Sequence, residues 1–208
     1  MIKISLTTLE YLQVNDQDQN IFYGVDQDWY PDPRRQKSGC GPSVACHMIV
    51  HLDATRQVFN NQKKISQMDD CMQLMDEVWD YVTPGERGIP RISHFYESFL
   101  AYARAKGAQL EVYSLEIPQE DIRPEFSEVV DFITAGLEQD VPVAFLNLCN
   151  GREEELEGWH WVTIIEIDPA DQQQVLIRIL DEGLIKTINL SLWYQTTQKG
   201  GGLVYFIT

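Results

Sequence analysis

Apolar positions in the first two thirds of the chain recur at helical spacing, while those in the last third alternate or run together as they do in strands. The stretch after Pro42 is apolar at three- and four-residue intervals and predicts a helix starting almost at Cys40. Residues 66–82 predict a second, with Ser66 at its head and Asp69 and Asp70 in the first turn, where negative charge suits the positive end of the helix dipole. Residues 90–106 predict a third, closed by Gly107, and residues 125–139 a fourth. Strand-like runs then occupy 141–148, 160–167, 175–180, 184–190 and 203–207. Turn residues from Asp168 to Gln174 join two of these runs into a hairpin. Helices first and strands after them specify an α+β fold, with a helical lobe, an antiparallel sheet and a cleft where they meet. The expected organisation is one domain over 1–208 with two lobes, about 36–139 mainly helical and about 140–208 mainly sheet.

Composition narrows the classes of function. A chain of 208 residues, 44% of them hydrophobic, can bury a full core. With 32 acidic against 16 basic residues and a net charge of −16, it lacks the basic face that general nucleic-acid binding needs. The dense basic cluster, Arg34, Arg35 and Lys37, is either a solvated loop or a source of positive charge near Cys40. No basic-then-apolar segment opens the chain, and no apolar run approaches the roughly 18 residues of a membrane span, so no membrane partner and a cytoplasmic location are expected. Cys40, Cys46, Cys71 and Cys149 show no CxxC pairing, which favours reduced thiols over a cysteine zinc site or a disulfide framework.

The chemistry centres on Ser38-Gly39-Cys40-Gly41-Pro42. Pro42 suits a first helical turn, the glycines admit close backbone approach, and a thiol at a helix start faces free N–H groups that stabilise its thiolate. A cysteine in such a turn is equally a packing residue, so the assignment depends on a base and its orienter. On a helix running from Cys40, His47 lies about 10 Å and His51 about 16 Å along the axis, out of reach of the thiol. Their His-x-x-x-His spacing lacks the glutamate of a zinc-protease helix, Met48 standing in its place, and His94 falls inside a helix as a surface or core-edge residue. His160 heads the strand Trp159-His160-Trp161-Val162, whose alternation sends the imidazole to the cleft and both tryptophans to the other face. If Ile167 pairs with Val175, Asp181 returns opposite Trp161, within a residue of His160, with Glu182 its nearest rival and Asp168 a distant turn residue. The loop 150–158, with Glu153, Glu154 and Glu155, is either a solvated face or an acidic gate that favours basic substrates.

A Gly-Cys-Gly-Pro seat, then Trp-His-Trp-Val on a strand, then a strand-ending aspartate resembles the papain-like cysteine peptidases. It is nearest the branch of bacteriocin double-glycine leader peptidases and their stand-alone bacterial relatives. The match covers about 36–50 and 140–182. The resemblance implies a papain-like fold with Cys40 as nucleophile, His160 as general base and acid, and Asp181 as orienter. It makes Gln36, four residues before Cys40 where the family's glutamine stands five or six before, the oxyanion donor, with the Cys40 N–H as second donor and Arg34 or Arg35 as substitutes. The expected function is cysteine-dependent hydrolysis of a peptide or amide bond through an acyl-enzyme, with no metal or organic cofactor implied. The alternatives are an acyl transferase on the same triad and an acidic binding or regulatory protein on an inactive peptidase scaffold.

Overall fold

The helix-rich first part of the chain does not stay out of the sheet. The computed structural model describes residues 2–59, 65–119, 123–171 and 174–208. The chain opens with β1 (Ile4–Ser5), a 3-10 turn at Leu9–Leu12, the hairpin of β2 (Gln13–Asn15) and β3 (Ile21–Tyr23), and a second 3-10 turn at Gln27–Trp29. Next come the helices α1 (Pro33–Ser38), α2 (Cys40–Arg56), α3 (Met68–Trp79) and α4 (Ile92–Ala105), then β4 (Glu111–Ile117) and α5 (Phe126–Glu138). The remainder is β5 (Val143–Asn147), β6 (His160–Asp171), β7 (Gln174–Asp181), β8 (Leu184–Asn189), α6 (Leu190–Thr196) and β9 (Gly201–Ile207). The α+β class and the antiparallel sheet are as the sequence predicts, with α2 to α5 and β5 to β9 on the predicted segments. The elements before α2, together with β4 and α6, were not read from it.

Among the described residues, one antiparallel sheet runs in the order β4-β9-β5-β6-β7-β8, with β1 paired to the far half of β6. β4 comes from the stretch 36–139 expected to be mainly helical and β1 from before it, so the sheet draws strands from both sides of residue 139. A single apolar cluster joins them: Val44, Met48 and Ile49 of α2, Phe95 and Phe99 of α4, Val129 and Ile133 of α5, and Val162 and Ile164 of β6 are all buried. α2 lies against both β6 and α3, and its first thirteen residues are almost all buried, which is why its apolar residues ring the helix instead of forming a stripe. No helix among the described residues is long and apolar enough to cross a membrane.

The register of β6 against β7 differs from the expected one, and the difference aims a side chain. Ile167 pairs with Ile177, not Val175, and β6 runs on to Asp171, so Asp168 is a strand residue opposite Leu176 instead of a turn residue. The tip of this hairpin, Gln172 and Gln173, lies outside the described residues. Between Ile164 and Glu166 the ladder slips by one residue, after which Thr163 pairs with Leu180. Continuing that register sets Asp181 opposite Val162. Cross-strand partners share a face, and Val162 shares its face with His160, so Asp181 does too. The expected pairing with Trp161 would have turned the carboxylate to the opposite face, as a one-residue slip does. The bulge at Ile165 thus directs Asp181 toward His160. Trp159 also departs from expectation. It precedes β6 with a φ of 61°, which breaks the alternation and leaves it 48% exposed, while Trp161 is buried, stacked on Phe95 at 4.4 Å and donating Nε1–H to Ile89 O at 2.8 Å.

Candidate active site

Cys40 is the first residue of α2, separated from α1 by Gly39 alone. A Cβ on Gly39 would come within 2.7 Å of both Arg35 O and the Tyr30 ring, and one on Gly41 within 2.9 Å of Ile89 Cδ1. Close packing therefore requires both glycines. Ser43 donates its N–H to Gly39 O at 2.9 Å and Pro42 has none. The sulfur thus sits in the first turn of α2, at the positive end of the helix dipole.

His160, at the head of β6, reaches this helix terminus. Its Nε2 donates to Asp181 Oδ1 at 2.6 Å, and Cys40 lies close enough to act on the charge of the ring. All three residues are buried, and a water-sized cavity of about 10 Å³ lies among them. Burial opposes the charge on His160, but the hydrogen bonds and charges of Asp181 and Cys40 outweigh it and push the imidazole up to about 10. Burial likewise opposes the charge on Asp181, yet His160 and Lys186 hold its carboxyl below the usual carboxylate range. The arrangement favours imidazolium beside carboxylate, which is the charge state that supports a thiolate.

Lys186, which the sequence reading missed, fixes the carboxylate from behind. Its Nζ lies 2.8 Å from Asp181 Oδ2 and 2.8 Å from Glu182 Oε2. β7 and β8 join through Glu182 and Gly183, whose φ values of 51° and 71° form the tight turn that brings Lys186 back beside Asp181. Glu182, the rival orienter, is thereby occupied at the turn with Lys186. A basic residue five positions after a strand-ending aspartate, across a two-residue turn, was the available signal.

Gln36 does not stand where the oxyanion role requires. Its amide nitrogen donates to Asp28 O at 3.0 Å and Tyr30 O at 2.8 Å, which ties α1 to the Gln27–Trp29 turn and uses both of its N–H groups. Arg35 is committed as well, to Asp76 at 2.6 Å and to the face of Trp79 at 4.9 Å, so of the two substitute arginines only Arg34 lines the cleft beside Cys40. Of the two readings of the acidic loop, the structure does not favour the gate. Glu153 is buried and accepts from Asn189 N at 2.9 Å and Glu155 N at 3.2 Å, which pins the loop to the start of α6. None of Glu153, Glu154 and Glu155 lines the cleft at Cys40.

The other histidines and thiols are accounted for elsewhere. Val25 N–H donates to His47 Nε2 at 2.8 Å, so the neutral ring carries its proton on Nδ1, 2.8 Å from Thr163 Oγ1, and burial holds it down at about 4. His51 is wholly buried with neither ring nitrogen partnered among the described residues, and burial likewise lowers it to about 4. His94 is exposed on α4. No group of three or more His, Cys, Asp or Glu side chains able to hold a metal occurs among the described residues. Cys46 and Cys71 are buried and their thiols pushed up, Cys71 to about 12. Cys149 is half-buried, and backbone N–H groups of Gln198 and Gly151 lower its thiol, which makes it the competitor of Cys40 for electrophiles. No protein-family model matches the chain, and no curated protein sequence is significantly similar to it.

Proposed function

We propose that the chain is a papain-like cysteine-dependent hydrolase that cleaves a peptide or amide bond through an acyl-enzyme. The observation that carries this reading is the bonded series His160, Asp181, Lys186 beside Cys40, which lines one small cavity with His160 and Asp181 and also opens on the larger cleft. In the forward step the Cys40 thiolate adds to the carbonyl carbon, and backbone N–H groups at the start of α2 are the donors for the oxyanion. The His160 imidazolium then gives its proton to the departing amine, the C–N bond breaks, and a thioester remains. Neutral His160 next takes a proton from water as the hydroxide oxygen adds to the thioester. Collapse releases the carboxylic acid and restores the ion pair. Asp181 holds the ring and favours its charged form throughout.

The test needs no substrate. At pH 6, iodoacetamide should alkylate Cys40 at a rate that falls by about 100-fold in His160→Ala, because a thiolate without an imidazolium partner is scarce there. Cys149 provides the internal reference, its rate being the same in both chains. A Cys40 rate that survives the loss of His160 would overturn the reading.

A further inference from the structure

The cleft above Cys40 has a volume of about 490 Å³, and its charge is opposite to that of the molecule. The whole chain has two acidic residues for each basic one, 32 against 16. The wall of the cleft carries Arg34 and Lys37 from α1 and Arg87 from the loop before α4, against one carboxylate, Glu86. A fourth cation, Lys199, sits 4.9 Å over the ring of Trp159, which lines the same cleft. Half of the other lysines and arginines among the described residues are held in ion pairs: Lys3 and Arg178 with Glu166, Arg35 with Asp76 and Asp32, Lys106 with Glu77, Lys186 with Asp181 and Glu182. Arg34, Lys37 and Arg87 make no ion pair among the described residues and all three line the cleft, so their charge is available to an anion that fills it. Arg87 is held in place, since Gly85 and Gly88 exchange backbone hydrogen bonds at 3.1 and 3.2 Å and leave Glu86 and Arg87 at the tip of a closed turn.

From this juxtaposition we propose that the hydrolase site proposed above acts on acidic substrates, with a carboxylate of the peptide, from a Glu or Asp side chain or from a chain terminus, seated among Arg34, Lys37 and Arg87. A guanidinium matches a carboxylate in a two-pronged hydrogen bond, and a partly enclosed cleft screens the attraction less than open surface does. The acidic remainder of the chain repels the same substrate at long range, so recognition is local. It reverses the preference for basic substrates that the glutamates of loop 150–158 suggest.

Iodoacetate and iodoacetamide make the probe, since they alkylate the same thiol and differ by one carboxylate. The ratio of their rates at Cys40 should fall about five- to tenfold in the triple variant Arg34→Gln, Lys37→Gln, Arg87→Gln, a loss consistent with a few partly screened charges. The imidazolium of His160 attracts iodoacetate in both chains, so the difference between them belongs to the rim. In the native chain the ratio should also fall as salt rises from about 0.01 M to about 1 M, where the screening length drops from about 30 Å to about 3 Å. An equal ratio in the two chains, or a native ratio that rises with salt because the overall negative field dominates, would overturn the proposal. These outcomes leave the hydrolase reading standing as long as iodoacetamide still labels Cys40 much faster than in His160→Ala. If it does not, both fall. Protection of Cys40 by peptides separates the sources. A glutamate-containing peptide with an amidated end protecting best indicates the side chain, and a neutral peptide with a free carboxyl end protecting best indicates the terminus. No advantage for either over a neutral amidated peptide overturns the proposal.

Discussion

Asp181→Asn should lower turnover of an amide substrate such as a peptide anilide by roughly 10²- to 10⁴-fold, while leaving the chain folded. The carboxylate accepts from His160 at 2.6 Å and from Lys186 at 2.8 Å, and an amide can keep the ring roughly in place but supplies no negative charge. His160 is raised to about 10, with Asp181 and Cys40 overcoming the effect of burial. A raised histidine stays imidazolium up to that pH, so the acid that protonates the leaving amine persists well above neutrality. Without Asp181, the alkaline limb of the rate profile should move down toward the ordinary histidine range of about 6.5. Alkylation of Cys40 at pH 6 should slow in parallel. Asp168→Asn is the control, because Asp168 pairs with Leu176 on β6, eight residues or about 26 Å of strand beyond His160. Unchanged turnover and an unmoved alkaline limb in Asp181→Asn would remove the orienter role, whatever Cys40 does.

The contrast between Asp181 and Gln36 shows how far the sequence carries the site. Period and turn residues locate α2 and β6 to β8 closely, because a half-buried hairpin and a helix opened by Gly-Cys-Gly-Pro are local patterns. Asp181 was found by counting along the hairpin even though the count placed it on the wrong face. A bulge at Ile165 corrects the parity, and a bulge leaves no mark in a run such as Val162-Thr163-Ile164-Ile165-Glu166-Ile167. Gln36 was selected by its distance from Cys40 along the chain, and that distance says nothing about which carbonyls compete for its amide. The competitors, Asp28 and Tyr30, belong to an N-terminal segment of 3-10 turns and three-residue strands too short to show a period. β4 is the opposite case: Glu111-Val112-Tyr113-Ser114-Leu115-Glu116-Ile117 approaches a two-residue alternation and could have been read. Trp159 and Arg87 both reach the cleft through loops, and loop placement is set by tertiary contacts that no local pattern records.

The chain should lose stability steeply between about pH 6.5 and 4, and two histidines outside the Cys40, His160, Asp181 cluster should account for much of the loss. His47 and His51 are both buried in α2 and both held down at about 4, with burial the leading cause in each. The unfolded chain binds their protons near pH 6.5, so over this range it takes up more protons than the native state does. Stability from each ring is therefore complete above about pH 6.5 and is withdrawn as pH falls toward 4. A difference of about 2.5 pKa units amounts to roughly 3 kcal/mol for each ring. His160 has the reverse sign, since its native pKa is raised: what it contributes is present below about pH 6.5 and is lost as pH climbs toward 10. The two histidines differ in what their removal costs. His47 bridges Val25 and Thr163, so replacing it breaks two buried hydrogen bonds at any pH. His51 has no partner at either nitrogen among the described residues, and an apolar side chain of similar size gives up nothing there. His51→Leu should accordingly match or exceed the native melting temperature at pH 8 and lose distinctly less between pH 6.5 and 4. Thermal melts of the two chains across that range make the measurement. Parallel acid limbs would mean that His51 titrates alike in the folded and unfolded chains, and that the buried neutral ring is not what acid attacks.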